Sequence, residues 1–139
     1  MSASYGIGNR SSGDWARATT ETVSALTAAG ITVVFVADTP RRGDGTTGPD
    51  CVADHLDDVS RCVTPVEDAL PHGTINAAVL QAVQRSGGLT IDPTNWFCAP
   101  GGCPEVVGNY LVHRDQSHIT AEYARFLAPQ LAQTLGLEG

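Results

Sequence analysis

Gly30-Ile31-Thr32-Val33-Val34-Phe35-Val36-Ala37 is the stretch on which the fold turns. From Ile31 to Ala37 it is apolar and largely β-branched, without the polar alternation of a half-solvated strand. It reads as a strand covered on both faces, as in a parallel sheet. Just upstream, Trp15 to Ala29 reads as a helix. Trp15, Thr19, Val23 and Leu26 recur at helical spacing, Ser12 or Asp14 is placed to cap it, and Gly30 ends it. A helix, a glycine and a buried strand in that order form the second half of a βαβ unit. Asp38 to Asp50, with Pro40, Pro49, Gly43, Gly45 and Gly48, is a long loop past the strand's C-terminal end, the edge where open α/β sheets bind ligands.

Further along, Cys51 to Cys62 reads as a locally folded segment. Thr74 to Arg85 is a second helix with Ile75, Val79, Ala82 and Val83 inward and Gly87-Gly88 at its end. Leu89 to Ile91 is a short strand, and Val106 to Val112 an edge strand or extended segment. The last helix runs from Thr120 to Leu135 on an apolar stripe of Ala124, Leu127, Ala128, Leu131 and Leu135. The expected architecture is α/β with a parallel sheet flanked by helices. Two or three strands fall short of the usual sheet. Ser2 to Gly6 looks like the tail of a strand whose beginning is absent. The chain is therefore expected to be the C-terminal portion of a larger domain, incomplete at its N-terminus.

A formal charge of −7, with all eight basic residues arginine, argues against a nucleic-acid partner, because such binding rests on neutralised phosphates. No window has the length of uninterrupted apolar sequence that a membrane helix needs. Met1 to Gly6 lacks the basic and apolar regions of a signal peptide.

Asp115-Gln116-Ser117-His118 carries the chemistry. A carboxylate three residues before an imidazole, on a loop opening a helix, can fix the ring's tautomer. The free ring nitrogen is then a base for a hydroxyl nucleophile. The plainer alternative is a helix start in which Asp115 satisfies unpaired amides. Ser117 cannot easily present its hydroxyl to its neighbour's ring, and Ser2, Ser4, Ser11 and Ser12 lack a strand-turn-helix elbow. His113 reads as a strand-end residue, His55 and His72 as surface residues, Trp15 and Trp96 as packing residues. The cysteines fall as close pairs, Cys51 with Cys62 and Cys98 with Cys103. Local disulfides are the simplest reading, which favours an oxidising compartment; buried thiols and a metal site are the alternatives. Neither pair has C-x-x-C spacing, so no metal and no cofactor is expected.

The run Cys98, Cys103-Pro104, Val106-Val107-Gly108, Tyr110-Leu111, Asp115-x-x-His118-Ile119-Thr120, Tyr123-Ala124 resembles the end of SGNH hydrolase domains. It is most similar to the SGNH domain fused behind the membrane part of acyltransferase-3 proteins. Gly30 through Asp38-Thr39-Pro40, with Cys51 and Cys62, fits the same group, and the resemblance covers about residues 15 to 135. It implies a three-layer, flavodoxin-like α/β fold. It also implies a triad in which Asp115 orients His118, and His118 serves as general base and then general acid. The family's serine lies in a Gly-Asp-Ser motif that this sequence lacks, so residues 1–139 read as a partial domain without its nucleophile block. Asn9, in Gly6-Ile7-Gly8-Asn9, is a candidate oxyanion donor or an ordinary turn residue. The implied function is O-acyl transfer or ester hydrolysis on cell-surface glycans, outside a bacterial membrane and beside an N-terminal membrane acyltransferase domain. This chain alone is expected to be inactive. A catalytically silent glycan- or partner-binding module, using the 38–50 loop and the Trp96 loop, is the alternative. A small hydrolase whose serine comes from the N-terminal serines or another subunit is a third.

Overall fold

The computed structural model describes residues 10–137. In chain order the elements are α1 (Ser12–Ala28), β1 (Val34–Val36), α2 (Gly48–Asp54), a 3-10 turn (Val59–Arg61), β2 (Val63–Thr64), α3 (Val66–Ala69) and α4 (Gly73–Arg85). Then follow β3 (Leu89–Ile91), α5 (Thr94–Phe97), β4 (Cys103–Pro104), β5 (Val106–Val107), β6 (Tyr110–Leu111) and α6 (Ala121–Thr134). The residues divide into two units: one holds residues up to Asp38 with His72–Pro93, the other Thr39–Pro71 with the residues from Thr94 onward.

In the first unit β1 and β3 pair in parallel, Phe35 opposite Thr90. Helices α1 and α4 pack with them around Val23, Val33, Phe35, Ala37, Val79 and Val83. The α/β class with a parallel sheet flanked by helices is as read from the residues. The strand differs from expectation. The strand is Val34–Val36, with the Val33 carbonyl and the Ala37 N–H also bonded to β3; Ile31 is half exposed, and Val34 and Val36 are half-buried between the buried Val33, Phe35 and Ala37. Alternation was hidden because both faces carry apolar side chains. The helix start also differs. Ser11, not Ser12 or Asp14, caps α1: its Oγ accepts from the Asp14 N–H at 3.1 Å while the Asp14 carboxylate accepts from the Ser11 N–H. This reciprocal pair satisfies two otherwise orphaned donors, so the helix begins three residues before Trp15. A Cβ on Gly88 would lie 2.7 Å from Val83 Cγ1, so glycine is what lets the turn into β3 close onto the core.

In the second unit the long loop ends at Thr47, which caps α2. Val106 to Val112 is not one edge strand. It folds back as an antiparallel β5–β6 hairpin, Val107 opposite Tyr110, across Gly108-Asn109, with Gly108 at φ 58°. A two-residue turn of this kind needs positive φ, which glycine supplies without strain. Thr120 caps α6. The helix is anchored by Tyr123, wholly buried against Phe97 and Val112, whereas Ala128 of the expected stripe is exposed. Both local disulfides, Cys51–Cys62 and Cys98–Cys103, are formed. Ser2, Ser4 and Asn9 lie outside the described residues.

Candidate active site

Residues 113–119 form a short turn whose ends, His113 and Ile119, are bridged antiparallel, and the Arg114 N–H donates to the His118 carbonyl at 2.9 Å. This closure folds the Asp115 side chain back over its own turn. One carboxylate oxygen, Oδ1, accepts from the Ser117 N–H at 2.9 Å and the His118 N–H at 2.8 Å. The other, Oδ2, lies 2.8 Å from His118 Nδ1. The helix-start alternative does not hold, because Thr120 caps α6 and the amides that Asp115 satisfies belong to its own turn; Oδ1 also lies 3.1 Å from His118 Nδ1, so the carboxylate faces the ring with both oxygens.

Asp115 is held well below the usual carboxylate range, at about 2. The Ser117 N–H is the largest cause, then the His118 N–H and the His118 ring. At neutral pH the carboxylate is therefore an acceptor only, and Nδ1 must carry the hydrogen between them. In the neutral ring the lone pair is then on Nε2. The His118 side chain is 66% exposed, so most of the ring faces solvent. Ser117 contributes its backbone N–H, and Ser11 is spent as a cap with its hydroxyl 2.8 Å from Asp14. Among the described residues, no serine is hydrogen-bonded to His118.

Beneath this turn lies a buried polar cluster that the sequence reading missed. His113 is not merely a strand end. It is 3% exposed, with Nδ1 2.9 Å from Glu105 Oε1 and Nε2 2.9 Å from the Pro40 carbonyl. Glu105 is 1% exposed, and the guanidinium of Arg42, itself 6% exposed, stands 3.7 Å from the same Oε1. Arg42 also pairs with Asp44 and donates to Thr46 Oγ1 at 3.1 Å. The guanidinium is the largest cause holding Asp44 at about 2. A signal for Glu105 was present: a lone acid between Pro104 and Val106 is costly to bury without a partner.

The remaining candidates take structural places. His55 and His72 are half-buried, not surface residues. His55 Nδ1 donates to the Cys51 carbonyl at 2.9 Å and neighbours both sulfurs of the Cys51–Cys62 bridge. Those sulfurs are joined to each other, so they are not available as thiolate ligands. Trp96 packs on the Phe97–Val112–Tyr123 cluster, and its carbonyl accepts from the Tyr123 hydroxyl at 2.6 Å. Trp15 packs on the first unit's core.

A family model described as an SGNH domain fused to AT3 domains matches residues 2–133. Among solved structures, the periplasmic domain of a lipopolysaccharide acetyltransferase from Salmonella ser. Paratyphi A is similar in fold, at 15% identity and a TM-score of 0.66. That match covers 97% of this chain and 55% of the other, so the chain spans little more than half its neighbour's length. No curated protein sequence matches it.

Proposed function

Because the chain belongs to the family of SGNH domains fused to AT3 domains, we propose that it serves acyl transfer or ester hydrolysis, with His118 as proton shuttle and Asp115 as its orienter. The observation that carries this is the His118 ring, held through Nδ1 by a carboxylate at 2.8 Å on a side chain that is otherwise largely exposed. A serine hydroxyl, supplied from outside this chain, gives its proton to Nε2 as its oxygen attacks the acyl carbon. The imidazolium that forms faces the Asp115 carboxylate and then protonates the leaving oxygen. The acyl-serine passes its acyl group to a sugar hydroxyl or to water, with His118 now deprotonating the acceptor and returning the proton to the serine. The acceptor is a cell-surface glycan, the site is the extracytoplasmic side of a bacterial membrane, and the partner is an N-terminal membrane acyltransferase domain. The two disulfides and the periplasmic neighbour support that placement.

The binding-module alternative gains less support, since Trp96 is half-buried against the Phe97–Val112–Tyr123 cluster. The test is acyl transfer by the full-length protein that carries this chain. Asp115→Asn is expected to lower the rate about 10⁴-fold and His118→Ala about 10⁶-fold, as loss of the corresponding member does in such triads. A full-length protein indifferent to His118→Ala would exclude the reading. This chain alone is expected neither to turn over p-nitrophenyl acetate through His118 nor to label with a fluorophosphonate.

A further inference from the structure

We propose that Glu105, His113 and Arg42 form a buried clamp that positions the Asp115–His118 pair, making Glu105 a positioning residue of the site. The inference rests on the proton-shuttle reading but draws on groups that reading does not use.

The cluster's one short side-chain contact is between His113 and Glu105; Arg42 Nη1 and Glu105 Oε2 are buried without a hydrogen-bond partner among the described residues, so Arg42 and Glu105 meet as an ion pair. A carbonyl only accepts, so His113 Nε2 carries a hydrogen to Pro40 O at 2.9 Å. His113 Nδ1 faces a carboxylate oxygen at 2.9 Å, so one proton lies between them. Whichever group holds it, the contact joins two fully buried polar side chains that have no solvent alternative. Arg42, at 3.7 Å from the same oxygen, ties the loop 40–48 into this contact.

That loop runs along the candidate turn and meets it repeatedly. The Arg42 N–H donates to the Gln116 carbonyl at 3.0 Å, and Gln116 Nε2 donates to the Gly45 carbonyl at 2.6 Å. The Gly48 N–H reaches the Asp115 carbonyl at 3.5 Å. His113 is itself the residue from which the turn departs. The Glu105 carboxylate thus holds both the root of the turn and, through Arg42, the floor on which it rests. Asp115 and His118 are exposed and have little packing of their own, so their mutual geometry depends on this support.

The experiment compares the ¹⁵N-labelled chain with Glu105→Gln, which keeps the shape and a hydrogen bond to His113 but removes the carboxyl group that shares the proton, and with Val23→Ala, a core truncation in the other unit. Long-range ¹H–¹⁵N spectra read the His118 tautomer; hydrogen exchange reads the Ser117 and His118 amides. The wild-type ring is expected as one Nδ1–H tautomer. Glu105→Gln is expected to move it towards a tautomer average and speed exchange of both amides about tenfold, as local opening does. Val23→Ala is expected to lower the melting temperature without moving either signal. Asp44→Asn, an exposed change that weakens Arg42's anchorage, gives the same direction with a smaller shift, and decides the matter if Glu105→Gln does not fold. Signals unchanged in the folded variants overturn the clamp while leaving the shuttle reading intact. Signals that move as much in Val23→Ala overturn it too, by reducing Glu105 to general stability. A wild-type ring already averaged between tautomers overturns the shuttle reading itself, and the clamp with it.

Discussion

Two glycines occupy the same place in two helices, yet alanine is expected to act oppositely at them. Gly48 and Gly73 are the first helical residues of α2 and α4, and neither has a positive φ, so alanine meets no backbone strain at either. A Cβ on Gly73 would have no atom within 4 Å. A Cβ on Gly48 would lie 2.8 Å from the His113 carbonyl oxygen and 3.2 Å from Glu105 Cδ, and closer still to Glu105 Oε2. None of these is the free end of an exposed side chain; all belong to the buried cluster. Relief requires either moving backbone, an overpacking cost of about 1–3 kcal/mol, or turning the carboxylate away from His113. The latter forfeits a bond to a charged or shared-proton group worth about 1.5–3 kcal/mol. Alanine restricts the unfolded chain equally at both sites, a gain of about 0.4–1 kcal/mol. Gly48→Ala should therefore lose about 1–2 kcal/mol net, while Gly73→Ala is neutral or gains up to about 1 kcal/mol. Urea denaturation followed by far-UV circular dichroism, with an unchanged m-value, measures both. Because the propensity contribution is common, the gap between them isolates the steric one. Two variants within about 0.5 kcal/mol of each other, the scatter of ordinary surface substitutions, would refute the tight contact and the clamp geometry behind it.

The disulfides give a second pair of unequal expectations. Their ring sizes, 11 and 5 residues of separation, predict losses of about 3 kcal/mol for Cys51→Ala/Cys62→Ala and about 2 kcal/mol for Cys98→Ala/Cys103→Ala from loop-closure entropy. Denaturation midpoints in the opposite order would show that ring size does not govern them. For pH, Asp115 is depressed in the fold from 3.8 to about 2, so its contribution is complete above about pH 4 and is lost as pH falls through about 2. Carboxyl ¹³C titration should place the Asp115 midpoint near 2, with the Ser117 and His118 amide shifts moving in the same step. A midpoint near that of an ordinary aspartate would mean the two backbone hydrogen bonds are not made in solution.

What was legible in the residues was local, and what was missed was not. The helix-glycine-strand order around Gly30, the i to i+3 spacing of Asp115 and His118, and cysteines a few residues apart all state their contacts within a few residues. Ser11 was missed by one position because Ser12 and Asp14 are equally good caps by composition; only the reciprocal Ser11–Asp14 bond separates them. Tyr123 was passed over for an aliphatic stripe because a phenol anchors a helix only when its hydroxyl finds a partner, here a carbonyl 27 residues away. His113 reaches Pro40 across 73 residues, and no periodicity records such a meeting. The division has a chemical consequence. The two amides that keep Asp115 ionised belong to its own turn, so the charge of the pair travels with the tetrapeptide wherever it occurs. The direction in which that turn points its imidazole is set, through its root at His113, by Arg42 and Glu105 from other parts of the chain. A grafted Asp-x-x-His turn should therefore reproduce the depressed carboxylate but not the fixed ring, and an alanine at position 48 should disturb the ring while leaving the carboxylate ionised.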